Sequence, residues 1–525
     1  MRHGRTDRRL SRIPSLIGLA LLCGHALAGS QALDLRVTTD RSIDPSSLET
    51  ICKSVCKPGM SEQERALALW RMFNTKMYHW DRISNGHWDV ICTYGYSLCG
   101  TMWRTFSMFY LYEFGDGSVR GGGYNGWTPD TEWGRLMMEG WLVDSYLMTR
   151  KHIQRDSMYG PYDPARARPK AVKGGHTMGE IRFDGKWHLL DPHAGFYVYT
   201  ADGKSIAAGR QLASDPSLVS DPVRIPDRFM PCDRKLPLFY YRVKGGSGGG
   251  GGGEKPPNHT YPTNLRAGLR YIRYYGKTFP HAYVYSKGWE RMPDWYRADG
   301  PRHLCNNEES WRHYGNGEVV FEPDASVLWR QAVIKADNLA GDLEGGLRGA
   351  DPAKPFSLTV EFQTPYIFVT ETVSGKSKGT VSIRCGNRTV WESKEPEATI
   401  NVQPREKNKI LGRTLRYEIR GGAGASIKDL RLAPVFQYNY FMSPRPLPGD
   451  NRIRVTWTPE STMEDRGVKV TWSWQEKAGV RQDSRIVKTS GTEYSLRVGK
   501  VDVTPNAEMN PTYIDALVIE VVKPE

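Results

Sequence analysis

Apolar residues recur every three or four positions in the first 115 residues, and every two positions over most of the chain beyond residue 315. The first regime predicts helices. Leu48, Ile51 and Val55 in SSLETICKSVCKPG predict a short helix begun by Ser46 or Ser47 and stopped by Pro58-Gly59. Ser61 with Glu64 three residues on is a capping box, and Ala66, Leu69, Trp70, Phe73 and Met77 continue that helix on one face. Met102, Trp103, Phe106, Phe109 and Tyr110 predict a third, buried helix that opens near Cys99, with Ser97 as N-cap and Gly115 just past its end.

The second regime predicts strands. Leu358-Val360-Phe362, Val381-Ile383, Leu415-Tyr417-Ile419 and the run from Ile427 to Val435 alternate between Gly, Pro and Asn, the pattern of an antiparallel sandwich. Ile453-Val455-Trp457, Val468-Val470-Trp472-Trp474 and Leu517-Ile519-Val521 suggest a second, smaller one after Pro448-Gly449. Between the regimes, RVKGGSGGGGGGEKPPN reads as a flexible linker. The expected organisation is a leader over 1–28, a first domain over 33–243 with an aromatic-rich, irregular insertion at 120–173, and the linker at 244–258. An aromatic and basic connector at 259–314 and sandwiches at 315–445 (jelly-roll-like) and 446–525 (fibronectin-like) follow.

One hairpin stands apart, because its geometry can be worked out from the turn. In GGHTMGEIRFDGKWHLLDPH the dipeptide Asp184-Gly185 signals a two-residue type I′ turn, which sets Phe183 opposite Lys186. In that register Met178 faces Asp191 and His176 faces His193, so His176 and Asp191 project from one face as diagonal neighbours about 7 Å apart. Glu180 shares that face by period, and His188 lies on the other. Cys99, at a helix N-terminus, has unpaired N–H groups and the positive end of the dipole beside its sulfur, which favours thiolate. Nucleophile, base and orienter then occur in the order Cys99, His176, Asp191. His193, directly across from His176, is the competing base, though Pro192 beside it disturbs pairing. Trp88 and Tyr94, in the aromatic loop leading to Cys99, are candidate lining for a substrate cleft, with Glu180 and His193 beside them as candidate binding residues.

GYSLCG, a GH-x-x-x-E strand and a W-x-x-L-D-P strand together resemble the transglutaminase-like superfamily, over roughly residues 60 to 200. The resemblance implies that Cys99 is the nucleophile, His176 the general base and acid, and Asp191 the carboxylate that orients the imidazole. It also implies an α+β fold class, with an N-terminal papain-like domain followed by all-β sandwich domains. Two departures are visible. Met178 stands where many relatives carry an aromatic residue, and about 75 residues separate Cys99 from His176.

Composition narrows the partners. An arginine-rich start, the run LIGLALLCGHALA and Ala26-Leu27-Ala28 read as a secretory signal peptide, too short to span a membrane, so a secreted or periplasmic location is expected. Residues 1–32 hold five basic residues and one acidic one, so without them the formal charge falls from +14 to +10. The Lys and Arg are scattered with no stripe and no nucleic-acid motif, so no nucleic-acid partner and no transmembrane segment in the mature chain are expected. Seven cysteines remain, an odd number that fits one free thiol with up to three disulfides. Cys52 and Cys56 are spaced like metal ligands, but Leu48, Ile51 and Val55 share their face and no matching zinc pair follows, so no metal and no cofactor are expected.

Two functions fit these readings. In the first, a secreted, cofactor-independent thiol enzyme cleaves or exchanges amide bonds of a protein or peptide through a Cys99 acyl-enzyme, as protease, deamidase or cross-linker. In the second, a non-catalytic binding protein of the cell envelope uses its sandwiches to hold polysaccharide or protein.

Overall fold

The computed structural model describes residues 29–79, 86–97, 99–125, 175–192, 195–215, 218, 223–224, 242–243, 258, 261–275, 314–342, 345–402, 411–500 and 513–524. The leader, nearly all of the insertion and the glycine linker therefore lie outside the described residues.

The helices expected near the start are present. Helix α1 (Leu48–Val55) is capped by Ser47, whose hydroxyl accepts from the Thr50 N–H at 3.0 Å. Helix α2 (Glu62–Lys76) has the Ser61/Glu64 capping box, with the Ser61 N–H donating to Glu64 at 2.8 Å. Helix α3 spans Cys99–Phe114 and ends on Gly115 at φ +83°, a left-handed conformation in which a Cβ would be strained. The expected Ser97 cap is not made. Ser97 is extended, two positions before the first helical residue rather than one, and its buried hydroxyl has no partner among the described residues.

The expected α+β class is overturned, because the described residues are mostly strand. The helical periods crowd the first 115 residues, whereas the strands that decide the class are spread over the chain and pair at long range. Strand β1 (Gln31–Ala32) pairs with Leu265–Arg266, and β2 (Arg36–Thr39) pairs with Gly449–Thr456. The N-terminal segment therefore does not close on itself as a papain-like domain. The largest sheet runs in the order Arg388–Ser393, Val381–Cys385, Gly412–Gly421, Phe356–Lys378, Ser426–Asn439, Tyr314–Phe321, Leu269–Tyr274, Ile514–Val522, Gly467–Glu476, Gly479–Val487. Strands from the expected connector and from both expected sandwiches thus share one sheet. Trp472 and Trp474, at 0 % and 5 % exposure, belong to its core rather than to a carbohydrate-facing surface.

The helices are docked on this sheet through its longest strands. A π-helical turn at Asp89–Tyr94, ended by Gly95 at φ +64°, lies against Ser426–Asn439. Its carbonyls accept from the sheet: Asn439 Nδ2 reaches Ile91 O at 2.7 Å, and Gln437 Nε2 reaches Thr93 O at 3.5 Å. Arg413 pairs with Asp89 across the same junction. One continuous apolar core extends from Phe73 and Phe106 in the helices to Phe436 and Trp472 in the sheet.

Candidate functional site

A smaller antiparallel sheet carries the candidate residues. It consists of Arg242–Val243, β3 (Val119–Asn125), β4 (Gly175–Phe183) and β5 (Lys186–Leu189), in that order. Asp184 and Gly185 take φ +48° and +72°, and the pairs Phe183–Lys186, Arg182–Trp187, Ile181–His188 and Glu180–Leu189 form the register expected of a type I′ turn. The pairing described between β4 and β5 ends at Glu180–Leu189. On its other edge β4 sets His176 opposite Tyr124 and Met178 opposite Gly122.

Helix α3 lies along β4 and runs in the same direction. Near its start, Trp103 occupies the space a side chain at Gly179 would need: a Cβ there would fall 2.1 Å from the indole. At its end Phe114 meets Phe183, with ring centroids 6.4 Å apart. Four residues back from Trp103 is about 6 Å of helix, or about two residues of strand. By that spacing the first residue of α3, Cys99, comes about level with the backbone of Thr177. Helix α2 closes the other side of α3, with Tyr110 OH donating to Ala66 O at 2.7 Å and Phe73 packing on Phe106.

Asp191 follows β5 and is 1 % exposed. Its carbonyl accepts the Trp70 indole N–H at 2.9 Å, which ties the end of the hairpin to α2. Trp70 gave no sign of this role in the sequence, where it reads as one more apolar residue of an amphipathic helix. Glu180 is buried and engaged: it accepts from Arg120 Nη2 at 2.6 Å and Nε at 2.7 Å, and from the Gly209 N–H at 2.9 Å. Arg120 also lies over the Trp187 ring at 4.2 Å. These contacts bind β3, β4 and the helix Gly209–Ser214 together. Arg120, the first residue of the expected insertion, was missed as a partner because its pairing with Glu180 crosses 60 residues.

The other candidates separate. Trp88 and Tyr94 are 4 % and 1 % exposed, held in the core around the π-helical turn. His193 lies outside the described residues. His188 stacks on Phe183 at 3.8 Å, with Nδ1 2.7 Å from Ile206 O. His87 lies 3.1 Å from Thr105 Oγ1, and burial, aided by the Arg104 charge, pushes its pKa below the ordinary imidazole value.

Cys52, Cys56, Cys92 and Cys385 are free thiols, which removes four of the seven mature cysteines from the expected disulfides. Burial pushes the Cys56 and Cys92 thiols up to about 12, and raises Cys52 and Cys385 as well. They are poor nucleophiles at neutral pH. Among the described residues no group of three His, Cys, Asp or Glu could hold a metal, and no helix is long and apolar enough to cross a membrane.

No protein-family profile matches the chain, and no curated protein does. Among solved structures, it is similar to a β-glucuronidase from Ruminococcus gnavus at 8 % identity, over 29 % of this chain and 36 % of that one, with a TM-score of 0.12. A glycosyl hydrolase family 2 member from Bacteroides cellulosilyticus matches at 9 % identity over 33 % of this chain and 23 % of its own, with a TM-score of 0.11. The matched part spans little more than a third of the glucuronidase, and likeness of this order assigns no activity.

Proposed function

We propose that the chain is an exported thiol enzyme that cleaves or exchanges amide bonds of a protein or peptide, with Cys99 as nucleophile, His176 as general base and acid, and Asp191 as the carboxylate that orients the imidazole. The observation that supports this reading is the parallel course of α3 and β4, with Trp103 on Gly179 and Phe114 on Phe183, so that the chain leading into α3 runs toward the end of β4 that carries His176. The buried Asp191 and its Trp70 anchor support the third role.

In this reading the imidazole takes the Cys99 proton and the sulfur attacks the substrate carbonyl, forming a C–S bond. The imidazolium then gives that proton to the departing amine as the C–N bond breaks. Water or a second amine cleaves the thioester, transferring its own proton through the same imidazole, and frees the thiolate. Backbone N–H groups at the start of α3 are suited to the oxyanion.

Iodoacetamide labelling, followed peptide by peptide against pH in the parent and in His176→Ala, tests the pair. Fast labelling of Cys99 that persists well below pH ~8.5 and is lost in the variant supports the proposal. Labelling that rises only near the ordinary thiol value in both proteins overturns it.

A further inference from the structure

Residues 29–39 are held between two distant parts of the sequence. On one side the Ala267 N–H donates to Ser30 O at 2.8 Å, β1 pairs with Leu265–Arg266, and the Leu35 N–H donates to Thr263 O at 2.8 Å. On the other, Gln31 and Thr462 exchange backbone bonds at 3.1 and 3.0 Å, the Thr458 N–H reaches Leu33 O at 2.9 Å, and β2 pairs with Gly449–Thr456. Ala32, Leu35 and Val37 are buried, at 0 %, 4 % and 2 % exposure. The segment is an inner strap of the fold rather than a loose end.

The hold reaches its first residue. Gly29 O accepts from Thr462 Oγ1 at 3.2 Å, and the Ser30 N–H donates to Gln331 Oε1 at 3.3 Å. Gly29 is buried, and a Cβ on it would overlap the Gln331 carbonyl, so glycine alone allows this approach without a shift. In the sequence Gly29 directly follows Ala26-Leu27-Ala28, the small-residue cleavage signal of the expected leader. The bond to be cut therefore adjoins backbone that is paired and packed.

We infer that removal of the leader at the Ala28–Gly29 bond is confined to the chain before it folds, because docking of the strap withdraws that bond from a peptidase. A peptidase takes its substrate extended, through backbone groups on both sides of the bond, and on the Gly29 side those groups are engaged by Thr462, Gln331 and Ala267. In the cut, the oxygen of a water joins the Ala28 carbonyl carbon, the C–N bond breaks, and a proton of that water goes to the Gly29 nitrogen. Partners at 449–462 lie toward the C-terminal end of the chain, so the strap cannot dock until nearly all of it has crossed a membrane. The bond stays open until then. The inference rests on the export part of the proposed function and is independent of the thiol chemistry.

The test uses the full precursor, residues 1–525, unfolded in urea and diluted into buffer, with a purified signal peptidase added at increasing delays. Tryptophan fluorescence follows refolding and intact mass follows cleavage. Peptidase added at once should give a product that begins at Gly29, and the rate of cutting should fall roughly tenfold or more as the delay passes the refolding time. Thr462→Val, at an exposed position, removes the hydroxyl bonds to Gly29 O and to the Gln31 N–H and leaves the cleavage sequence intact. It should raise cutting of the refolded precursor roughly tenfold. Equal cutting before and after refolding overturns the inference and leaves the leader reading standing. An unfolded precursor that is not cut, or is cut at another bond, overturns both. A refolded parent that resists while Thr462→Val resists equally overturns the role of the strap.

Discussion

Trp103 and Gly179 share one volume: the indole of α3 fills the place where any side chain on β4 would begin, and a Cβ at Gly179 would also fall 2.3 Å from the Arg120 carbonyl. The contact is one of those that fix α3 against β4. Gly179→Ala should force the elements apart, at a cost of about 1–3 kcal/mol for overpacking a filled core. Urea unfolding would show a lower midpoint with unchanged slope, and Cys99 labelling at pH 7 should slow in the still-folded variant. A variant as stable as the parent would mean that α3 and β4 are not in register as described.

Trp70 holds Asp191 by its carbonyl rather than by its carboxylate. Trp70→Phe keeps most of the packing and removes only the donor to that buried carbonyl, at a cost of about 1–3 kcal/mol. If Asp191 orients the imidazole, kcat for amide hydrolysis or amine incorporation should fall more than KM changes, because binding surfaces are untouched. Equal effects on both, or none, would remove Asp191 from the proposed trio.

Glu180 distinguishes a structural carboxylate from a substrate ligand. Its oxygens are occupied by Arg120 and by the Gly209 N–H, so Glu180→Gln should retain the backbone bond, lose the charge pairing and lower stability by about 1–2 kcal/mol. Arg120 is partly exposed and can rehydrate, which keeps this below the cost of breaking a fully buried pair. The KM for any peptide substrate should not move. A raised KM at unchanged stability would return Glu180 to the substrate cleft.

How much of this was legible follows the distance between partners in sequence. The Ser61/Glu64 box, the left-handed Gly115 and the Asp184-Gly185 turn are settled by residues within four positions, and the structure has each of them. The pairing of β2 with Gly449–Thr456 joins residues more than 400 apart and leaves no local trace, and with it went the expected self-contained α+β domain. Ser97 failed by a single residue, since a cap needs the position directly before the helix.

Buried thiols make stability fall in alkali. Cys92 is 6 % exposed, and burial raises its thiol from the ordinary value to about 12, so between about pH 8.5 and 12 the unfolded chain has lost this proton while the folded one retains it. The sign follows: a thiol whose folded pKa is raised contributes stability that is complete below the unfolded value and is lost as pH climbs toward the folded one. Each such group takes away up to about 1.4 kcal/mol per pH unit in that window. The folding free energy of the parent, measured by urea unfolding from pH 7 to 10.5, should therefore be level to about pH 8.5 and then decline. Cys92→Ala carries a cavity cost at every pH, but above pH 8.5 its curve should fall less steeply than that of the parent, by one proton's worth. Parallel curves would mean that the Cys92 thiolate is tolerated in the folded protein. In that case iodoacetamide would label Cys92 as well as Cys99 at high pH, and the labelling experiment would have to be read at the Cys99 peptide alone.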